Sequence, residues 1–256
     1  MMHTFKRWFI PEIKKFFNRK QAKVRDYKRV PIIINNFNRY DKFLALIAGL
    51  EKRGYKNIWI IDNDSTYPPL LEWYRACPYR VIFLHENIGH ISIFQTGLVK
   101  VFCNSYYAYT DADLEISEEC PDDFMERFIT LLKKHPKAVK AGFSLRLDDL
   151  PDHYEKKQEV IDWESQFWKD EVEPGVFKAP IDTTFAVYKP WFKGGIVDFN
   201  DLHFRVGPPY TMRHLPWYMD SKNPTEEDLF YFSKISTSTH WSEKEKKSLG
   251  IFENIT

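Results

Sequence analysis

The stretch YTDADLE, residues 109–115, places two carboxylates, Asp111 and Asp113, two residues apart at the end of an aromatic, strand-like run. In an extended chain, positions two apart face the same side, so both acids can aim at one object. Like charges that close repel unless something positive lies between them. A hard divalent ion, Mn2+ or Mg2+, suits the pair, because it takes carboxylate oxygens and keeps positions for phosphates. A turn or helix N-cap is the alternative use of the same acids, since the DLEISEECPDD run is acid-rich and reads as solvated.

Other candidate groups lie at the ends of similar runs. IIDNDS puts Asp62 and Asn63 after a buried strand, where an acid and an amide can hydrogen-bond a nucleobase or ribose, or else form an Asx turn. Farther on, Asp182 in KAPIDTTFAVY precedes a buried run and is the favoured general-base candidate; Asp198 and Asp201 are the other candidates, and a turn acid is the plain alternative. Arg213 and His214 sit in VGPPYTMRHLPWYMD, which reads as a loop or lid. A guanidinium there could neutralise developing negative charge, and a neutral imidazole could complete a metal shell.

These groups need a scaffold, and the apolar pattern supplies one. PIIINNF, NIWIIDND, RVIFLHE, SYYAYTDAD and AVKAGFSL read as strands, and RYDKFLALIAGLEKRG, PPLLEWYRA and DDFMERFITLLKKHP as helices between them. Alternating strands and helices predict an α/β fold with a mostly parallel, buried sheet. In such sheets ligands bind beyond the carboxyl ends of the strands. Standing there are Asn35, Asn36 and Asn38, then Asp62 to Ser65, then Glu86, Asn87 and Gly89, then Asp111 and Asp113. Past residue 145 the spacing predicts a helix over HYEKKQEVIDWESQFWKD, a strand pair over VFKAPIDTTFAVYKP and a last helix over TEEDLFYFSKIS. No Gly-x-Gly-x-x-Gly and no P-loop follows the first strand, which argues against a dinucleotide cofactor and a P-loop enzyme.

Taken in order, PIIINNFNR, IWIIDNDST, HENIGHISIFQTGL and YAYTDADLE resemble the family 2 glycosyltransferases of the GT-A fold, over roughly residues 30–145. The resemblance implies a nucleotide-sugar donor, a Mn2+ or Mg2+ ion, and sugar transfer to an acceptor hydroxyl with inversion. It implies that Asn35, Phe37 and Asn38 border the base, Asp62 and Asn63 meet base and ribose, and Asn87 and Gly89 line the nucleotide pocket. Asp111 would approach the ribose or the metal, and Asp113 would hold the metal on the diphosphate. The C-terminal half departs from the family pattern, with no clear acidic pair before an acceptor-side helix, and leaves retention open. The expected division is a nucleotide-binding half, 29–145, and an acceptor half with a lid, 146–256. A sugar-phosphate nucleotidyltransferase, or a non-catalytic sugar- or membrane-binding protein of the same fold, is the alternative.

Bulk composition narrows the partners. The formal net charge of +1 argues against nucleic acid, and a 43% hydrophobic content suffices for a sizeable core. Three cysteines without CxxC spacing argue against a disulfide framework or zinc site. Charge is uneven: residues 1–25 carry Lys6, Arg7, Lys14, Lys15, Arg19, Lys20, Lys23 and Arg25 against Glu12 alone, with Phe5, Trp8, Phe9, Ile13, Phe16 and Phe17 at helical spacing. A basic amphipathic helix over 1–28 of this kind suits an anionic membrane surface, or packing against the domain or a partner. The expectation is a cytosolic protein, peripheral on the membrane face, acting on a glycan or lipid-linked acceptor.

Overall fold

A computed structural model describes residues 26–192 and 201–235; the basic segment 1–25 and Asp198 lie outside them. Ten strands form one sheet: β1 (Ile32–Asn36), β2 (Ile58–Asp62), β3 (Arg80–Phe83), β4 (Tyr107–Asp111), β5 (Leu114–Ile116), β6 (Ala138–Leu145), β7 (Glu171–Glu173), β8 (Val176–Lys178), β9 (Ala186–Tyr188) and β10 (Leu202–His214). Their order is β3-β2-β1-β4-β9-β6-β10-β8-β7, with β5 paired to β10 off this path. Only β5, β8 and β9 run against the rest, so the expected mostly parallel sheet is present.

Strand alternation divides the core into two layers. Ile32, Ile34, Ile58, Ile60 and Ala108 face one side, where they pack with α1 (Asp41–Lys52), α2 (Pro68–Ala76) and, beyond the short helices α3 (Ser92–Gln95) and α4 (Val99–Phe102), α5 (Phe124–Lys134). Ile33, Trp59, Ile61, Tyr107 and Tyr109 face the other, under α3 and α4. Two further helices follow, α6 (Lys157–Glu164) and α7 (Glu226–Lys234). Strand order reverses between β1 and β4, where Asn35 pairs in register with Asp111. The crevice outside those two strand ends is the switch point at which open α/β sheets bind ligands.

Three expectations are corrected. The VGPPYTMRH stretch is not a loop: it lies within β10, which pairs with β6 on one side and β8 and β5 on the other. Its Pro208 and Pro209 fall in the register shift between Val206 and Thr211, where no ladder donor is needed. The chain leaves the strand after His214, with Leu215–Tyr218 as a 3₁₀ turn. β8 and β9 are both strands but not partners, since residues 179–185 carry the chain across to the gap between β4 and β6. Part of the acid-rich run after Asp113 is buried rather than solvated, as β5, with Leu114 and Ile116 in the core. Edge strand β3 is half exposed, unlike its neighbours.

β9 approaches β6 too closely for a side chain at Gly142. A Cβ there would stand 2.1 Å from the Phe185 carbonyl oxygen and 2.9 Å from Ala186 Cα. Both are backbone atoms in a sheet interior and have little room to retreat. Gly142→Ala is expected to destabilise the protein by about 3 kcal/mol or more in urea unfolding. A loss below about 1 kcal/mol would show that the sheet yields there.

Candidate active site

The crevice is built from the strand ends upward. Asn35 on β1 and Asn63 after β2 both donate to the Gly89 carbonyl, at 3.4 and 2.8 Å, and Asn63 accepts from the Ile88 N–H. Asn87 accepts from the Gly89 N–H, and Gly89 has φ +94, a conformation that suits glycine. Asn35 also accepts from the Ser92 hydroxyl at 2.6 Å. These amides therefore knit the 87–92 loop to the sheet and line one wall. Asn38, at φ 53, accepts from the N–H groups of Thr66 and Tyr67, and its side-chain amide nitrogen has no partner among the described residues. Asp62 accepts from the Ser65 N–H; burial pushes its carboxyl above the usual range, against that bond. Phe37 packs edge-on against Tyr231 of α7, with ring centres 6.1 Å apart.

The opposite wall is acidic. Asp111 is held through its backbone N–H to the Thr183 carbonyl, 3.0 Å, and through its carboxylate to the Thr183 hydroxyl. Burial pushes its carboxyl well above the usual range, with the neighbouring charges of Asp113 and Asp182 adding to the effect and Thr183 opposing it. Thr183 thus brings Asp182, which is exposed, to the same corner. Asp113 lies with Oδ2 3.7 Å from Arg39 Nε and Oδ1 3.8 Å from His214 Nε2. Its carbonyl accepts from the Leu215 N–H, which pins the end of β10 to it. Burial lowers the His214 pKa, helped by Arg39 and opposed by Asp113 and Asp182, so the imidazole is neutral near pH 7. Its Nδ1 has no partner among the described residues.

Two carboxylates and a neutral imidazole are oxygen and nitrogen donors that fit Mn2+ or Mg2+. The uncompensated repulsion at Asp111 is what a cation would relieve. Among the described residues no three such side chains form a closed set. Such a site needs further oxygens, such as those of water and a diphosphate.

Arg213 is not part of this cluster. Consecutive strand residues point to opposite faces, and while His214 turns to Asp113, Arg213 turns to Asp149, 2.6 Å, and Glu115, 3.1 Å. With both carboxylates on it, its charge is already matched. The cation beside Asp113 is instead Arg39, which the sequence reading passed over although it directly follows Asn38 in NNFNR. Thr183, a short polar neighbour of Asp182 in the same run, is the residue that ties that segment to Asp111. Asp201 is partly buried and acts on Lys140 rather than on the acidic corner.

The family model described as "Glycosyl transferase family 2" matches residues 25–206. No curated protein matches the chain. Among solved structures, a mannosyltransferase from Pyrobaculum calidifontis in complex with GDP-Man and Mn2+ is similar at 13% identity and a TM-score of 0.47, over 94% of this chain and 78% of that one. GalNAc-T7 with UDP, GalNAc and Mn2+ is similar at 14% identity and 0.48, over 86% of this chain and 54% of that one. No helix among the described residues is long and apolar enough to cross a membrane.

Beneath Asp182 lies a buried amine. Lys140 on β6 is 1% exposed; its Nζ donates to the Asp182 carbonyl at 3.1 Å and to the Tyr188 hydroxyl at 3.3 Å. Burial lowers its pKa from 10.5 to about 7, with Asp182 and Asp201 opposing and Arg205 adding to the fall. Neighbouring His203, at about 3, stays neutral throughout this range. Between pH 7 and 10 the unfolded chain holds the lysine proton that the folded chain has lost, so stability rises with pH across that window, by at most about 1.4 kcal/mol per unit. The thermal midpoint of the wild type should climb from pH 7 to 9 relative to that of Lys140→Met. Parallel profiles would contradict the assignment.

Proposed function

The chain belongs to glycosyl transferase family 2, and on that premise we propose that it moves a sugar from a nucleotide-sugar donor to an acceptor hydroxyl in a reaction that depends on a divalent metal. The observation that carries this reading is the acidic corner at the β1–β4 switch point, where Asp113 faces neutral His214 and Asp111 is clamped by Thr183 next to exposed Asp182. Asp111, Asp113 and His214 would hold Mn2+ or Mg2+. Bound there, such an ion would supply positive charge against that developing on the departing nucleoside diphosphate.

The chain's own groups do the rest. Asn35, Phe37, Asn38, Asp62, Asn63, Asn87 and Gly89 form the wall for base and ribose. The exposed Asp182 carboxylate takes the proton of the acceptor hydroxyl as its oxygen bonds to the anomeric carbon and the bond from that carbon to the diphosphate oxygen breaks. One base on the acceptor side suits a single displacement with inversion. A glycan or lipid-linked acceptor, in surface polysaccharide or glycolipid synthesis, is supported by the basic aromatic run in residues 1–25, which suits an anionic membrane.

A panel of nucleotide sugars with Mn2+ tests the reading. Slow release of nucleoside diphosphate is expected. Pyrophosphate-dependent formation of a nucleoside triphosphate would instead mark a nucleotidyltransferase, and silence across the panel a binding protein. Asp113→Asn should abolish Mn2+-dependent binding of the nucleoside diphosphate in calorimetry. Asp182→Asn should lower turnover by roughly 10²–10⁴-fold with donor affinity retained. Turnover within a few-fold of wild type would make Asp182 a turn residue only.

A further inference from the structure

Helix α7 lies beyond residue 206, where the family match ends, yet it supplies two buried carboxylates to the edge of the site. Glu227 is 1% exposed and Asp228 2%. Buried charges need partners. One Glu227 oxygen accepts from the backbone N–H groups of Tyr40, 2.8 Å, and Asp41. Those are the first donors of α1, whose N-cap residue Tyr40 makes no side-chain cap of its own. A distant carboxylate thus caps α1, and it also favours the positive end of the helix.

The remaining oxygens hold two cations. Asp228 Oδ1 lies 3.0 Å from Arg39 NH1 and 2.7 Å from Lys42 Nζ, and Glu227 Oε1 lies 3.2 Å from Lys42. Lys42 and Arg39 hold the Asp228 carboxyl below its usual range although burial opposes them. Tyr231, one turn along α7, stacks its ring 3.5 Å from the Arg39 guanidinium carbon. Arg39 is therefore gripped from the α7 side. Its Nε edge points toward Asp113 at 3.7 Å, an ion-pair distance beyond hydrogen-bond length, and makes no hydrogen bond among the described residues. Two cations on α1 and its lead-in meet two carboxylates on α7, while Asp113 stands as a third, more distant acid beside Arg39. Asp41, on the same turn, is exposed.

We propose that α7 is a clasp that sets the charge at Asp113: Glu227 and Asp228 neutralise and restrain Arg39, so that Asp113 remains free to take a divalent cation. This rests on the metal-dependent reading above. Glu227 and Asp228 are positioning residues, acting through Arg39. Without Asp228 the guanidinium is unmatched on one side and turns onto Asp113, where it competes with the ion at close range.

Mn2+ affinity, read from the electron paramagnetic resonance signal of the free ion with no donor present, tests this without turnover. Asp228→Asn should weaken Mn2+ binding on the order of ten-fold or more at temperatures where circular dichroism shows it folded. The charge-balanced double variant Arg39→Gln with Asp228→Asn removes the competitor and should restore the affinity; damage that was merely structural would not be repaired by it. Asp228→Glu should stay near wild type. An affinity in Asp228→Asn within two-fold of wild type overturns the proposal, as does a folded double variant that binds no better than the single one. If Asp228→Asn does not fold, the double variant alone decides, with affinity at or above wild type expected. Wild-type protein that binds no Mn2+ would overturn the metal reading itself and this proposal with it, an outcome distinct from the others.

Discussion

The repulsion among acidic side chains at the end of β4 is the constraint on which the site depends. Asp111 is partly buried beside Asp113 and within the field of Asp182, and the desolvation that comes with this corner makes its charge costly. On the proposed reading, a divalent ion and a diphosphate would relieve that cost and let negative charge build up on a leaving group. The cost in the empty state and the chemistry in the filled one have the same origin.

The surrounding fold holds that unfavourable corner in place. Pairing of Asn35 with Asp111 fixes the carboxylate at the switch point, and Thr183 ties it to the segment between β8 and β9. That segment is anchored from below by Lys140 and by the close approach of β9 to Gly142. β10 delivers His214 from the other side, its backbone tied to Asp113 through Leu215. α7 completes the enclosure with carboxylates that hold cations rather than add to the acid. Each contact is ordinary in strength, and together they leave the three acids little freedom to separate.

The wall of amides and acids at the strand ends was legible in the sequence because its elements are local. Short apolar runs ending in Asn, Asp and Gly mark both the strand and the place where it stops, and the order of four such ends indicates the sheet. The C-terminal half was less legible for two physical reasons. Pro208, Pro209 and Gly207 look like loop residues, and only pairing on both sides makes β10 a strand around them. Once it is a strand, the alternation that separates His214 from Arg213 follows at once; read as a loop, the two seemed interchangeable neighbours of the site. Arg39 and Glu227 lie 188 positions apart in number, and no periodicity links them; their contact exists only after the sheet has folded.

The central claim is that the corner formed by Asp111, Asp113 and His214 holds a divalent ion under a nucleoside diphosphate. Crystals grown with a nucleoside diphosphate and Mn2+, with diffraction collected above and below the manganese absorption edge, test this most directly. The account predicts one anomalous peak within about 2.0–2.4 Å of a carboxylate oxygen of Asp113, on the side facing His214, with diphosphate oxygens completing the shell. A nucleoside diphosphate bound in the crevice with no peak at Asp113, or a peak held by other residues, would contradict it.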